Sequence, residues 1–147
     1  VQAASLDWAD PLAVAKYPAD CLLAADCTYS PDINALLAAL LGRYLAGPAA
    51  SRAAHRQGLL GVPAEEEDAE GGLLRALHSD APFALVVSTQ RREDTLQHFR
   101  QQLAAQPCRH SDCTAQAWRL VRAAGGEKYF LPAQDAPLLR VLCVQPL

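Results

Sequence analysis

The stretch DCLLAADCTYSPD, residues 20–32, decides how the chain is read. The apolar run CLLAA over 21–25 has the length and continuity of a strand covered on both faces. It ends on an acid, Asp26, with Tyr29 three positions later. Ser30-Pro31-Asp32 then has the form of a helix start, with Ser30 as N-cap and proline at the first helical position. Ile33, Leu36, Leu37, Leu40, Leu41, Tyr44 and Leu45 follow at helical spacing and predict a helix with one wide apolar face. Gly47 and Pro48 are its expected stop. A strand running directly into a helix is the unit of a parallel sheet, and such sheets bind ligands beyond the carboxyl ends of their strands. Asp26 occupies that end. Position alone leaves the acid two roles, a turn cap or a ligand contact.

Working outward, the same unit recurs. FALVVST, residues 83–89, is rich in β-branched residues and predicts a second buried strand. RREDTLQHFRQQLAAQ, residues 91–106, predicts an amphipathic helix with Leu96, Phe99 and Leu103 inward. AWRLVRA (117–123) and LLRVLCV (138–144) read as two closing strands around GGEKYFLPAQDAP, an antiparallel hairpin at one edge. At the other end VQAASLDW (1–8) reads as the tail of a strand carrying Asp7 and Trp8 at its end, and DPLAVAKYPA as a loop or one poor helical turn. The expected fold class is therefore α/β: a mainly parallel, Rossmann-like sheet with an antiparallel C-terminal hairpin.

Residues 46–82 differ in character. They are rich in Ala, Gly and Glu and poor in bulky side chains, which predicts an inserted flexible loop with a short helix near 73–77. The acidic run Glu65 to Asp68 reads as a solvated stretch. All 147 residues fit one domain, interrupted by that loop.

Composition narrows the function classes. A hydrophobic share of 51% and a charged share of 20% are those of an ordinary globular chain. No apolar run approaches the roughly 20 residues of a membrane helix, so no membrane is expected. A net charge of −3 offers no basic footprint, so no nucleic-acid partner is expected. Five cysteines, an odd number with two inside predicted strands, point to reduced thiols and a cytoplasmic or nuclear location.

CRHSDC (108–113) gathers two cysteines, a histidine and an acid, but no second ligand pair stands near it. A tetrahedral zinc site usually draws on two separated pairs, so no metal is expected, and the segment reads as an exposed loop with Cys108 as an oxidisable surface thiol. His55, His78 and His98 are scattered without a partnered nucleophile and receive no catalytic role. Gly125-Gly126 reads as a turn, and Trp118 as core packing.

LDW at 6–8, followed by ADCLLAADCTYSPDINALLAALL at 19–41, resembles the middle of class I S-adenosylmethionine-dependent methyltransferases. It is similar in particular to the lysine methyltransferase group called methyltransferase family 16, whose members show a Leu-Asp-Trp-like element and then an aliphatic strand ending in Asp-x-x-Tyr. ALVVSTQRREDTLQHF at 84–99 resembles the strand and helix that follow in that group. The resemblance implies S-adenosylmethionine as cofactor and a lysine side chain of a protein partner as methyl acceptor. It implies that Asp7 and Trp8 contact the adenine, that Ala25 and Asp26 adjoin the cofactor, and that Asp26 and Tyr29 are the catalytic pair.

Cys27 and Thr28 stand where the group usually carries aliphatic residues, and the 46–82 loop is long for its position. The glycine-rich turn and ribose-holding acid of such enzymes precede the Leu-Asp-Trp element. With the absence of any methionine, this sets the expectation that residues precede Val1 and that the chain supplies the C-terminal half of the fold. Two other readings follow from the same residues. One is a non-catalytic methyltransferase-like interaction module, and the other is half of a Rossmann-like oxidoreductase.

Overall fold

The computed structural model describes residues 3–17, 19–47, 72–90, 93–125 and 139–147. In chain order the elements are α1 (Ala13–Lys16), β1 (Cys21–Ala25), α2 (Pro31–Ala46), α3 (Gly72–Leu77), β2 (Phe83–Thr89), α4 (Glu93–Ala104), β3 (Cys108–Asp112), α5 (Thr114–Ala123) and β4 (Leu139–Pro146). The fold class is α/β.

The strands form one four-stranded sheet in the order β1-β2-β4-β3. β1 pairs with β2 in parallel, Leu22 opposite Ala84 and Ala24 opposite Val86. β4 runs against both of its neighbours, β2 and β3. The sheet is thus mixed rather than mainly parallel, and the reversed strand lies inside it rather than in an edge hairpin. The reason is that the two expected closing strands are not a pair. Residues 117–123 belong to α5, and the strand that pairs with β4 from the outer edge is β3, in the segment that reads as a loop.

Both corrections have local causes. Thr114–Ala123 is rich in Ala, Gln, Arg and Leu, all good helix formers. The Asp112 carboxylate starts the helix by accepting the Thr114 N–H at 3.1 Å and its hydroxyl at 2.6 Å. Cys113, Gln116 and Ala117, at spacing i, i+3 and i+4, face the sheet, so the buried stripe is too small and polar to register as an apolar period. β3 is an edge strand whose Cys108 alone packs in the main core, while Arg109 and Asp112 are exposed. Cys108 is accordingly buried, and burial raises its pKa, the opposite of a reactive surface thiol.

The main core lies between the sheet and the layer formed by α2 and α4. Leu37, Leu40, Leu41 and Leu45 of α2 and Leu96, Phe99 and Leu103 of α4 pack on Ala24, Ala84, Val86, Leu142 and Val144. Leu36 falls on the margin of the apolar face and stays exposed. The opposite sheet face carries a smaller cluster, with Leu73 and Ala76 of α3 against Phe83, Val141 and Cys143. Among the described residues that cover lies over β2 and β4 and stops short of β1. Leu23 is therefore 67% exposed, and β1 is covered on one face rather than two. No helix of the described residues is long and apolar enough to cross a membrane.

α2 starts as its sequence dictates. The Ser30 hydroxyl accepts the Ile33 N–H at 3.3 Å, Pro31 occupies the first turn and Gly47 is the C-cap. Replacing Ser30 with Ala leaves one helix donor unsatisfied and is expected to lower stability by about 1 kcal/mol. The urea midpoint should fall with no change in slope.

Burial also sets the alkaline limit of the fold. The Tyr44 hydroxyl donates to the Ala19 carbonyl at 3.1 Å, and burial, with smaller contributions from Cys21 and Asp20, pushes its pKa up to about 12. Burial first, then the neighbouring Cys143, pushes the Cys113 thiol to about 12, and burial pushes Cys143 to about 11. In the unfolded chain these groups ionise at about 8.5 for a thiol and about 10 for a phenol. Above those values the unfolded state holds fewer protons than the folded state, so stability falls as pH rises. Urea melts are expected to show full stability at neutral pH and progressive loss through the alkaline range. Tyr44→Phe should remove the tyrosine share of that loss while costing about 1 kcal/mol at neutral pH for the hydrogen bond.

Candidate functional site

The site forms where the parallel pair ends. Asp26 follows the last residue of β1, and its N–H donates to the Val87 carbonyl at 2.7 Å, carrying the β1–β2 ladder one step past the strand. Its φ is +52°, in the left-handed region that most residues avoid and that Asp and Asn tolerate. That conformation turns the chain out of the sheet so that Cys27 to Ser30 cross above the strand ends toward α2. The Cys27 thiol donates to the Ala25 carbonyl at 3.1 Å, and its pKa is raised by burial and then by the Asp26 charge.

A cleft of about 420 Å³ opens at this crossing. One wall is Asp26, Thr28 and Tyr29 from the β1–α2 turn. The other is Ser88, Thr89 and Gln90 from the end of β2, with Thr95 and Leu96 of α4 closing it. The volume lies in the range of small-molecule sites, which run from about 300 to 1,000 Å³. Among the described residues the lining holds one carboxylate, one phenol and several hydroxyls. The Asp26 carboxylate is a group that a cation or an amine donor can meet there. The N-terminal end of α4 is held beside α2 by Asn34, a fully buried residue whose amide donates to the Thr95 carbonyl at 2.9 Å.

Asp26 and Tyr29 are therefore brought together on one cleft. Tyr29 is 71% exposed, with its phenol open to anything entering. Ala25, also exposed, is the last residue of β1 and pairs with Val87. No protein-family model matches the chain, and no curated protein matches it significantly.

Asp7 and Trp8 lie elsewhere. The segment before them is not a strand among the described residues: the Asp7 carboxylate accepts the Ala9 N–H at 2.9 Å and its carbonyl accepts the Asp10 N–H at 3.2 Å, closing a turn. Asp7 is exposed. Trp8 is half-buried against the main core beside Leu6 and Val14, and its carbonyl accepts from Arg43 at 2.8 Å. Neither lines the cleft.

Ser88, Thr89, Gln90 and Thr95 are the lining residues that sequence reading passes over. The signal for the first three is positional: the apolar FALVV turns to the polar STQ at the carboxyl end of β2, at the same level as Asp26. None of the described histidines lines the cleft: His78 is exposed beyond α3 and His98 lies on α4, while His55 falls outside the described residues. The acidic run at 65–68, most of the 46–82 loop and Gly126 also lie outside them.

Proposed function

We propose that the protein is a lysine methyltransferase that uses S-adenosylmethionine and acts on a protein substrate in the cytosol or nucleus. The observation that carries this reading is the pairing of Asp26 and Tyr29 on a cleft at the carboxyl end of a parallel strand pair. The parallel β1–β2 unit supports the reading, while the reversed strand lies inside the sheet rather than in the edge hairpin expected. All five cysteines are free thiols, in keeping with a reducing compartment.

The residues at the cleft fit the methyl-donating end of the cofactor, a sulfonium that is positively charged. S-adenosylmethionine, when bound, supplies an electrophilic methyl group for in-line displacement. A lysine amine, with a reference pKa of about 10.4, must shed its proton before it can attack. The Asp26 carboxylate accepts a hydrogen bond from the ammonium group, orients it and takes its proton, leaving the neutral amine to attack. The Tyr29 ring presents a π-face that favours a nearby cation. Holding the nucleophile in line supplies much of the rate. The adenine contacts that the resemblance assigns to Asp7 and Trp8 fall outside this cleft's lining, so the reading rests on Asp26 and Tyr29.

The test is to incubate the full-length protein with methyl-labelled S-adenosylmethionine and cell protein, hydrolyse the product and separate the amino acids. Label in methyl-lysine is the expected result. Label confined to another residue type, or none incorporated, would rule the reading out.

A further inference from the structure

We infer that Thr28 and Ser88 are positioning residues, a hydroxyl pair that fixes the turn carrying Asp26 and Tyr29; the catalytic part of this inference rests on the function proposed above. Ser88 is 3% exposed and lies on the same face of β2 as Ala84 and Val86, a row that otherwise packs in the main core. A serine there sacrifices apolar contact and needs a partner for its hydroxyl, since an unsatisfied buried hydroxyl is costly. Its partner is the Thr28 hydroxyl, on the opposite wall of the cleft and sixty residues away in sequence.

The pair completes a two-point attachment of the β1–α2 turn to β2. Val87 holds Asp26 through the backbone, and Ser88, the next residue, holds Thr28 through the side chain. On the far side the turn is fixed to α2, where Ser30 caps the helix through its hydroxyl and accepts the Asn34 N–H at 2.9 Å through its carbonyl. Asp26 and Tyr29 are both exposed, so side-chain packing does little to set their positions. The backbone of the turn contributes to setting them, and Thr28 sits between the two.

Thr28→Val and Ser88→Ala change little volume and remove one hydroxyl each. In the full-length protein each is expected to lower kcat by about ten- to a hundredfold, the scale of a misplaced reacting group. The KM for S-adenosylmethionine should move by less than about threefold, because the change falls on positioning rather than uniform binding. The double variant should be no slower than either single one, since the two hydroxyls act as a unit. Thr28→Ser, which keeps the hydroxyl, should restore most of the rate.

Amide hydrogen exchange supplies a readout that does not depend on the reaction. Residues 26–29 should exchange about tenfold faster in both hydroxyl-deleted variants, with the centre of α2 unchanged. Unchanged exchange at 26–29, or kcat within twofold of wild type in both variants, would overturn the inference. Variants that exchange as expected, from a wild-type protein that transfers no methyl group, would overturn the methyltransferase reading and leave the attachment of the turn standing.

Discussion

Asp26→Asn is expected to slow methyl transfer by about a hundredfold or more, the range of a lost general acid–base group, while the melting temperature stays near that of the wild type. The argument has two parts. Among the described residues the carboxylate is the only charged group lining the cleft, and it is a group that can draw a proton from an incoming ammonium group. Its backbone, at φ +52°, also demands a residue that tolerates the left-handed region. Asparagine keeps that tolerance and removes the charge, so it isolates the chemistry. Asp26→Ala removes both. It should show the same loss of rate together with about 1–2 kcal/mol of destabilisation from the unfavourable backbone conformation. Steady-state transfer rates and thermal melts on the two variants separate the effects. A rate for Asp26→Asn equal to wild type would show that the carboxylate has no part in the reaction.

The largest stability effect belongs to Phe99. Its ring is fully buried at the middle of α4, in the cluster that joins α4, α2 and the sheet. Phe99→Ala is expected to cost about 3–5 kcal/mol, the sum of lost transfer free energy and the cavity left behind. A domain of this size has a total stability of about 5–15 kcal/mol, so the variant should be close to unfolding at 37 °C. The effect should reach the site as well, because Thr95 and Leu96 of the same helix form the end of the cleft. Leu36→Ala on α2 is the control: Leu36 is 38% exposed, outside the buried stripe, and truncating it should cost well under half as much. Urea denaturation of the two variants beside the wild type measures both.

The elements that sequence reading locates are those whose hydrophobic period is strong. α2 announces itself through a proline-marked N-terminus and a row of leucines, and β2 through FALVVST. α4 shows its three large apolar residues at helical spacing. The elements it misassigns are those whose buried side is chemically quiet. α5 faces the sheet with a cysteine, a glutamine and an alanine, so its half-exposed Trp118 and Val121 dominate the pattern and mimic a strand. β3 is polar because it lies at the sheet edge, and its place was open only to knowledge of which strand β4 pairs with. That pairing is long-range and leaves no local mark.

The site divides in the same way. Asp26 stands out because it ends an apolar strand, where open sheets meet ligands, and Tyr29 enters with it only through the Asp-x-x-Tyr resemblance. Ser88 and Thr28 do not stand out, since nothing in sequence joins positions sixty apart. The turn at Asp7 escapes for a different reason: a carboxylate that satisfies a backbone N–H two residues on looks, in sequence, the same as one reserved for a ligand.

The measurement that tests the account most directly is equilibrium dialysis of labelled S-adenosylmethionine against the full-length protein. Unlabelled S-adenosylhomocysteine and a nicotinamide dinucleotide serve as competitors. Saturable binding that S-adenosylhomocysteine displaces and the nicotinamide does not is the result predicted. A folded protein that binds no S-adenosylmethionine, or that gives up its ligand to the nicotinamide, would contradict it.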